Sequence, residues 1–463
     1  VLMTGEEQGV TTLGELRRAG AEAMARNPDL WPRLRRAVRA EDPAILYLTS
    51  GVTAEPKMAL VSHRALAANA SLGPEVLNAG PEDSTLAFLP SAHIIQRLVI
   101  ELIMVYCGVP VWFSEGLLRL PHELITVRPT LFAAPPRVWE RVYKTVRMEI
   151  DRRPEPLRRL ANAALEAGLR RVDLRAAGQR VPLWLTLVCG FADRLVYRKI
   201  RGRFGGRLRF AASGAAPLGA DLARFYMAIG LPLHEGFGLT EGGIVILNPL
   251  GRQKPGSIGK PLPGVEVRLA EDGELHIKCP YLFMGYFDDP RATASVLDGE
   301  WLRTGDICRR DSDGYLFITG RKKDVVITSA GRKVYPVLVE NLFKTEPLIN
   351  QVLVLGDALP YPVALITVNT AAALSLKGME AYKDRPASEV AAAPAVREEV
   401  ERAVSRVNRR LAEFDRIHRF RVLDRDFTIE AGELTATMKK RRDRILANHR
   451  ELIEELYGVK GKL

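Results

Sequence analysis

"PAILYLTSGVTAEPK", residues 43–57, starts as a strand-like apolar run and passes at Thr49 into a polar loop that ends in Lys57. A loop that holds phosphate needs inward-facing backbone N–H groups, hydroxyl donors, little side-chain bulk and a cation for the outer oxygens. Thr49, Ser50, Gly51, Thr53 and Lys57 supply those types. The stretch is not a Walker loop, which puts Gly directly before the Lys and Ser or Thr after it; here Pro56 and Met58 hold those places. Taken alone, it reads more readily as a polar turn that ends in lysine than as a phosphate loop.

Further along, short β-rich runs alternate with helical stretches up to about residue 245. "AILYLTS" (44–50), "STLAFLP" (84–90), "VPVWFS" (109–114), "TLFAAPP" (130–136), "LRFAASG" (208–214) and "LPLHEGFG" (231–238) each end in Gly, Pro or Ser. That alternation predicts one parallel sheet covered by helices, with ligands bound beyond the carboxyl ends of the strands. From Leu250 the texture turns to β-hairpins, as in "VEVRLAEDGELHIKC" (265–279). From residue 321 a small α+β unit follows, with a hairpin, a helix, two strands, a long helix after Ala392 and a basic C-terminal helix. The expected class is α/β. A large N-terminal domain (1–320, with a β-rich subdomain over 245–320) of layered sheets with helices precedes a small mobile α+β domain (321–463).

The chain has 463 residues, 47% hydrophobic and 26% charged, enough for more than one core. "LVIELIMVYCGVPVWF" (98–113) is interrupted by Glu101, Gly108 and Pro110, so it reads as a core helix and a strand rather than a membrane span. "VLMTGEEQGV" lacks the basic start and apolar stretch of a signal peptide, and Cys107, Cys189, Cys279 and Cys308 are too scattered for zinc-ligand spacing. A cytoplasmic protein with reduced thiols is expected. The net charge of +12 favours anionic partners, but the basic residues are interleaved with acids and no nucleic-acid motif occurs. Residues 137–205 form a helical, arginine-rich insertion. It reads as a solvated helix face, or as a patch for peripheral contact with the inner membrane face.

Five further motifs accompany the opening loop: "SGAAPL" (213–218), "EGFGLTE" (235–241), "WLRTGD" (301–306), "TGRKKDVVITSAGRKVYP" (319–336) and "GELTATMKKRR" (432–442). In this order and spacing the set resembles the adenylate-forming superfamily of acyl-CoA synthetases. "APPRVWERVY" (134–143), "FADRLVYRKIRGRFGGRLRFAASGAAPL" (191–218) and "FTIEAGELTATMKKRR" (427–442) resemble its long-chain fatty-acid branch. The resemblance runs from about residue 10 to the C-terminus. It implies two half-reactions: a carboxylate attacks the α-phosphate of ATP to give acyl-adenylate and pyrophosphate, and the thiol of coenzyme A then displaces AMP.

By the same resemblance, residues 49–57 hold the β- and γ-phosphates, and Gly214, Ala215 and Ala216 wall the adenine. Glu235 and Gly236 to Gly238 approach the base, with Phe237 offering a ring face. Thr240 bonds the α-phosphate, Glu241 with Thr49 holds Mg²⁺, Asp306 accepts from both ribose hydroxyls and Arg321 binds ribose or α-phosphate. His93, in "FLPSAHIIQR", stands between the nucleotide and acyl pockets. Lys439 bridges the α-phosphate and the carboxylate, Lys323 is the hinge, and Gly331, Arg332 and Lys333 line the path of coenzyme A. Read without the family, Glu241 is an acid at a helix start, Asp306 and Arg321 are surface residues, and 439–442 is a solvated helix start. Lys440 stands where the family is usually apolar, so the choice between the two lysines stays open.

The chain departs from the family loop, TSGTTGxPKG, at Val52, Ala54 and Met58, and it begins later than family members do. An exposed sheet edge is expected where the preceding family segment would pack. The expected activity is fatty acyl-CoA ligation with ATP, Mg²⁺ and coenzyme A. Two alternatives are an adenylate-forming ligase serving an acyl carrier protein or another carboxylate, and a non-catalytic acyl or nucleotide binder.

Overall fold

Five of the six apolar runs expected to share a parallel sheet do so. The computed structural model describes residues 9–49, 57–435 and 438–458. In it Val111–Phe113, Thr85–Ala87, Leu131–Ala134, Phe210–Ser213 and Leu233–Leu239 lie side by side and parallel. Gly243–Leu247 and Lys260–Pro261 extend the sheet antiparallel. All four residues of Leu131–Ala134 are buried, as a strand covered on both faces requires. One face packs on Trp139, Tyr197, Phe204 and Tyr226 from the helical layers, and the other on Leu77, Ile103 and Met104.

The sixth run corrects the expectation. Pro43–Thr49 pairs antiparallel with Lys57–Ser62, which pairs in turn with Gly285–Tyr286, in a separate three-stranded sheet. Its physical reason is connection length. Parallel neighbours need a crossover of about a dozen residues or more, and only residues 50–56 separate these two strands.

Glu266–Leu269 and Glu274–Lys278 form the expected hairpin, in one sheet with Trp301–Arg310 and Leu316–Arg321. Beyond it Ile349–Leu355 and Val363–Val368 pair antiparallel. Arg419–Val422, which carries no clear strand pattern, adds to them in parallel. The helix Pro394–Asn408 buries Val396, Val400, Ala403, Val404 and Val407 against this sheet, the three-and-four spacing of an amphipathic helix.

The insertion is helical as expected: Pro136–Asp151, Glu155–Ala176 and Leu183–Ala192, the last continuing through a π-helical turn, Asp193–Tyr197, to Arg201. It is not one solvated face. Pro136–Asp151 buries Trp139, Lys144, Val146 and Ile150, and Lys144 Nζ donates to Ile349 O at 2.5 Å. The four cysteines are unpaired. Among the described residues no helix is long and apolar enough to cross a membrane.

Candidate active site

A cavity of about 1400 Å³ opens at the carboxyl ends of the parallel strands, between the large sheet and the C-terminal unit. Its polar end is built from neighbouring strands. Asp306 and Arg321 are register partners on Trp301–Arg310 and Leu316–Arg321. Arg321 Nε donates to Asp306 Oδ1 at 3.1 Å. Burial pushes the Asp306 carboxyl up from its ordinary value, against the pull of Arg321. Its second oxygen has no hydrogen-bond partner among the described residues, so an acceptor borders the cavity.

Glu241 stands in a turn between the antiparallel strands Leu233–Leu239 and Gly243–Leu247, with Thr240 beside it. It is therefore not an acid at a helix start. Glu241 Oε1 accepts from the Tyr286 hydroxyl at 2.7 Å, and the Tyr286 ring carries the Lys57 ammonium 4.9 Å from its centroid. Thr49 Oγ1 donates to Lys57 O at 3.1 Å, which commits its proton and leaves only lone pairs to offer. Magnesium takes oxygen ligands and keeps several of them as water or phosphate. The described residues contain no cluster of three or more His, Cys, Asp or Glu suited to a metal. The Glu241 carboxylate and the Thr49 hydroxyl are oxygen donors of the kind magnesium accepts.

Lys439 enters from the C-terminal unit. Met438, directly before it, has φ +65, a strained conformation for this residue. Thr435 fixes the turn: Lys439 N donates to Thr435 Oγ1 at 3.1 Å, and Thr435 N donates to Lys439 O at 2.9 Å. Burial first, then Arg321, holds the Lys439 ammonium down at about 8, against the pull of Asp306 and Glu241. His93 is pushed down to about 4 by burial and by Lys439, so a neutral imidazole lines the cavity near that ammonium.

The neighbouring lysine is differently engaged. Lys440 Nζ donates to the Glu340 carboxylate and to Val352 O, while Arg442 donates to the same carboxylate and to Val354 O. Glu340 is buried and also accepts from Val354 N at 3.0 Å. Lys440 is thus a brace within the C-terminal unit, and Lys439 is the lysine set among Asp306, Glu241 and Arg321.

Gly214, Ala215 and Ala216 line the cavity, with Ala215 at φ +69. Glu235 and Ser213 are register partners on adjacent strands. Glu235 Oε1 accepts from Leu218 N at 2.8 Å, tying the 213–218 loop to its neighbour. Glu235 Oε2 and Ser213 Oγ are buried and without a partner among the described residues. Burial pushes the Glu235 carboxyl up to about 7. Phe237 borders the cavity from inside the core, 8% exposed. A Cβ at Gly238 would stand 2.5 Å from Gly243 O, so the neighbouring strand by itself requires glycine here, and Gly238 also borders the cavity.

The other arm of the cavity is apolar. Ile95, Val99 and Ile103, on a helix that begins as a π-helix over Ile95–Leu102, face Phe210, Ala212 and Leu262. The helix Leu72–Leu77 packs so closely behind them that a Cβ at Gly73 would stand 2.5 Å from Ile103 Cγ2.

Ser50, Gly51 and Thr53, with Val52 and Ala54, lie outside the described residues. Gly331, Arg332 and Lys333 form an exposed hairpin, with Val326–Ile327 pairing with Lys333–Val334, and do not line the cavity. Lys323 sits in a 3₁₀ turn, Lys322–Asp324, at the cavity's edge. Sequence reasoning passed over Tyr286 and Glu340. A tyrosine in "GYFDDP" (285–290) and a glutamate on an amphipathic helix carry no local signal of their partners.

Comparison with known proteins follows the same outline. A family model described as AMP-binding enzyme matches residues 5–287, and one described as AMP-binding enzyme C-terminal domain matches residues 323–460. The long-chain-fatty-acid–CoA ligase FadD15 of Mycobacterium bovis is 37% identical over 466 residues, covering 97% of this chain and 74% of its own length. Among solved structures, the adenylation domain of a carboxylate reductase from Mycobacterium chelonae aligns with TM-score 0.70 at 24% identity, over 90% of this chain and 60% of that one. The A domain of a carboxylic acid reductase from Segniliparus rugosus, in complex with AMP and a co-purified carboxylic acid, aligns with TM-score 0.68 at 22% identity, over 98% of this chain and 70% of that one. These structural likenesses bear on the fold.

Proposed function

This chain belongs to the AMP-binding enzyme family, and from that premise we propose that it is a long-chain fatty-acid–CoA ligase. The carboxylate of the fatty acid attacks the α-phosphorus of ATP; the bond to the bridging oxygen breaks and pyrophosphate leaves. The thiolate of coenzyme A then attacks the acyl carbon, and AMP leaves with its phosphate oxygen. One observation carries this reading. A single cavity joins an apolar arm, lined by Ile95, Val99, Ile103 and Phe210, to a polar end where Lys439 meets Asp306, Glu241 and Arg321. Such a space suits a molecule with a long apolar tail and a carboxylate head beside a nucleotide.

In this reading Lys439 stabilises charge that develops only as the carboxylate and α-phosphate react, so its effect falls on the rate more than on binding. Asp306 accepts from the ribose hydroxyls and Arg321 neutralises phosphate or holds the ribose. Thr240 donates to the α-phosphate, and the 213–218 loop walls the base. Glu241 and Thr49 would hold Mg²⁺, which supplies charge neutralisation to the phosphates when bound. His93, neutral, separates the nucleotide from the acyl chain. The boundary near Lys323 acts as a hinge between the large domain and the small one, and its turning brings the Gly331–Lys333 hairpin toward coenzyme A. The same reading puts the protein in the cytoplasm, touching the inner membrane face through residues 137–205.

ATP–pyrophosphate exchange with Mg²⁺ and a ladder of carboxylates from acetate to oleate tests it. Exchange that rises toward the long chains is expected. Folded, ATP-binding protein that gives no exchange with any carboxylate would overturn it.

A further inference from the structure

We infer that the helix Leu183–Ala192, with its continuation to Arg201, is a docking face for an anionic lipid bilayer. Leu185, Cys189 and Ala192 turn one stripe of this helix into the core. The opposite side is apolar as well. Leu183 is 84% exposed, Leu187 66% and Phe191 72%, and with Leu195 they form one line at spacings of four. Trp184 and Val188 stand beside that line and are also exposed. Scattered apolar residues are ordinary on a protein surface, but six contiguous ones on a single helix are not.

The surrounding charge identifies the occupant. Over residues 180–201 the acid is Asp193 alone, against Arg180, Arg194, Arg198, Lys199 and Arg201. Arg201 holds Asp193 at 2.6 Å, so the acid is already neutralised within the fold. Arg180, Arg194, Arg198 and Lys199 are exposed and make no ion pair among the described residues. Arg170 lies over the Trp184 ring at 5.4 Å, at the rim of the apolar stripe. Apolar side chains flanked by unpaired cations are what an in-plane helix presents to anionic headgroups: the chains enter the acyl boundary and the cations stay at the phosphates. A second copy of the chain would bring the same cations face to face, with Asp193, the acid of this segment, already held by Arg201. No described helix is long and apolar enough to cross a bilayer, so this one lies on the surface.

The face is argued from the surface itself and draws only its purpose, access to long-chain acids held in lipid, from the ligase reading. Within the 137–205 insertion it selects this helix over Pro136–Asp151, which is occupied by the core and by the C-terminal unit. The test is co-sedimentation of the full chain with phosphatidylcholine vesicles, with or without phosphatidylglycerol, at low and raised salt. Binding to the anionic vesicles should be at least about tenfold tighter than to the neutral ones, and salt should weaken it. Leu187→Ser with Phe191→Ser should lower it by at least about tenfold. Arg194→Gln, Arg198→Gln and Lys199→Gln together should erase the preference for anionic lipid. All three proteins should keep the same ATP–pyrophosphate exchange on a water-soluble medium-chain acid. Binding that is absent, indifferent to lipid charge or untouched by the variants would overturn the proposal. So would a wild-type dimer that Leu187→Ser with Phe191→Ser converts to monomer, which gives the face to a second copy. Vesicle binding without any exchange would strike the ligase reading and leave the docking face standing.

Discussion

Lys439→Ala and Lys440→Met should separate catalysis from stability at two adjacent residues. Lys439 is surrounded by opposing charges: Arg321 and Lys323 repel it while Asp306 and Glu241 attract it, and burial disfavours its charge. Removing it therefore relieves about as much as it loses, and the unfolding free energy should change by less than about 1 kcal/mol. In the proposed reaction its rate effect should be large, because a placed donor at developing charge is worth about 10²–10³ in kcat. Lys440→Met reverses the pattern. The Glu340 carboxylate keeps Arg442 and Val354 N, but it loses one cation and the Val352 carbonyl loses its donor. Removing one partner of a fully uncompensated buried pair costs about 3–5 kcal/mol; with Arg442 retained, about 2–3 kcal/mol is expected. Three measurements check this: urea unfolding, ATP–pyrophosphate exchange, and thioester formation from supplied acyl-adenylate. Lys439→Ala should lose exchange, keep thioester formation and unfold like the wild type. Lys440→Met should unfold early yet exchange normally below its transition. If Lys440→Met loses exchange at unchanged stability while Lys439→Ala keeps it, the assignment of the two lysines is refuted.

Three further outcomes are expected. The Lys439 ammonium must be protonated to act, and in the free protein burial and Arg321 hold it at about 8. Exchange measured as kcat/KM should therefore fall as pH rises through about 8, and Lys439→Arg, which stays charged, should remove that limb. Tyr286→Phe deletes the donor that orients Glu241, so the Mg²⁺ concentration for half-maximal exchange should rise by about tenfold; an unchanged Mg²⁺ titration would make the contact merely structural. Asp306→Ala removes the acceptor at the cavity's polar end and leaves Arg321 unpaired there, so equilibrium ATP binding should weaken by about tenfold or more. Unchanged nucleotide affinity would take Asp306 out of the ribose site.

Periodicity and turn residues were enough to read elements whose identity is local. The helix Pro394–Asn408 and the Glu266–Lys278 hairpin carry their patterns within their own windows. Pro43–Thr49 went to the wrong sheet because its composition suits either sheet, and the short return to Lys57 decides the pairing. Arg419–Val422 escaped notice because it alternates arginine with apolar residues and is a strand only by virtue of Val363–Val368 beside it. At the site, Asp306, Arg321 and Lys439 were legible as parts of motifs. Tyr286 and Glu340 were not, since their meaning lies in contacts to Glu241 and Lys440, 45 and 100 residues away. The same contact explains why Lys439 and Lys440 could not be told apart in sequence. They are chemically identical neighbours, and Glu340 decides which of them is held as a brace while both border the cavity.

The position of Lys439 is inherited from a path that crosses between the two halves of the protein. Lys440 ties the Lys439 loop to Val352 on the strand Ile349–Leu355, and Lys144 on the large-domain helix Pro136–Asp151 ties to Ile349 on the same strand. Lys344 pairs with Glu140 at 3.4 Å, and Arg410 with Asp221 at 2.6 Å, across the same boundary. By contrast, the apolar clusters of the C-terminal unit close on themselves, and Met148 is the large-domain side chain packed against them. A boundary of this composition can separate by exchanging polar contacts for water without opening a hydrophobic core. Lys144 illustrates the balance: burial holds its ammonium down to about 8, so losing its partner Ile349 O on separation is offset by rehydration of the charge. If the hinge near Lys323 turns during the reaction, the boundary it opens is thus one whose contacts water can replace, while the brace from Glu340 to Lys440 travels intact with Lys439.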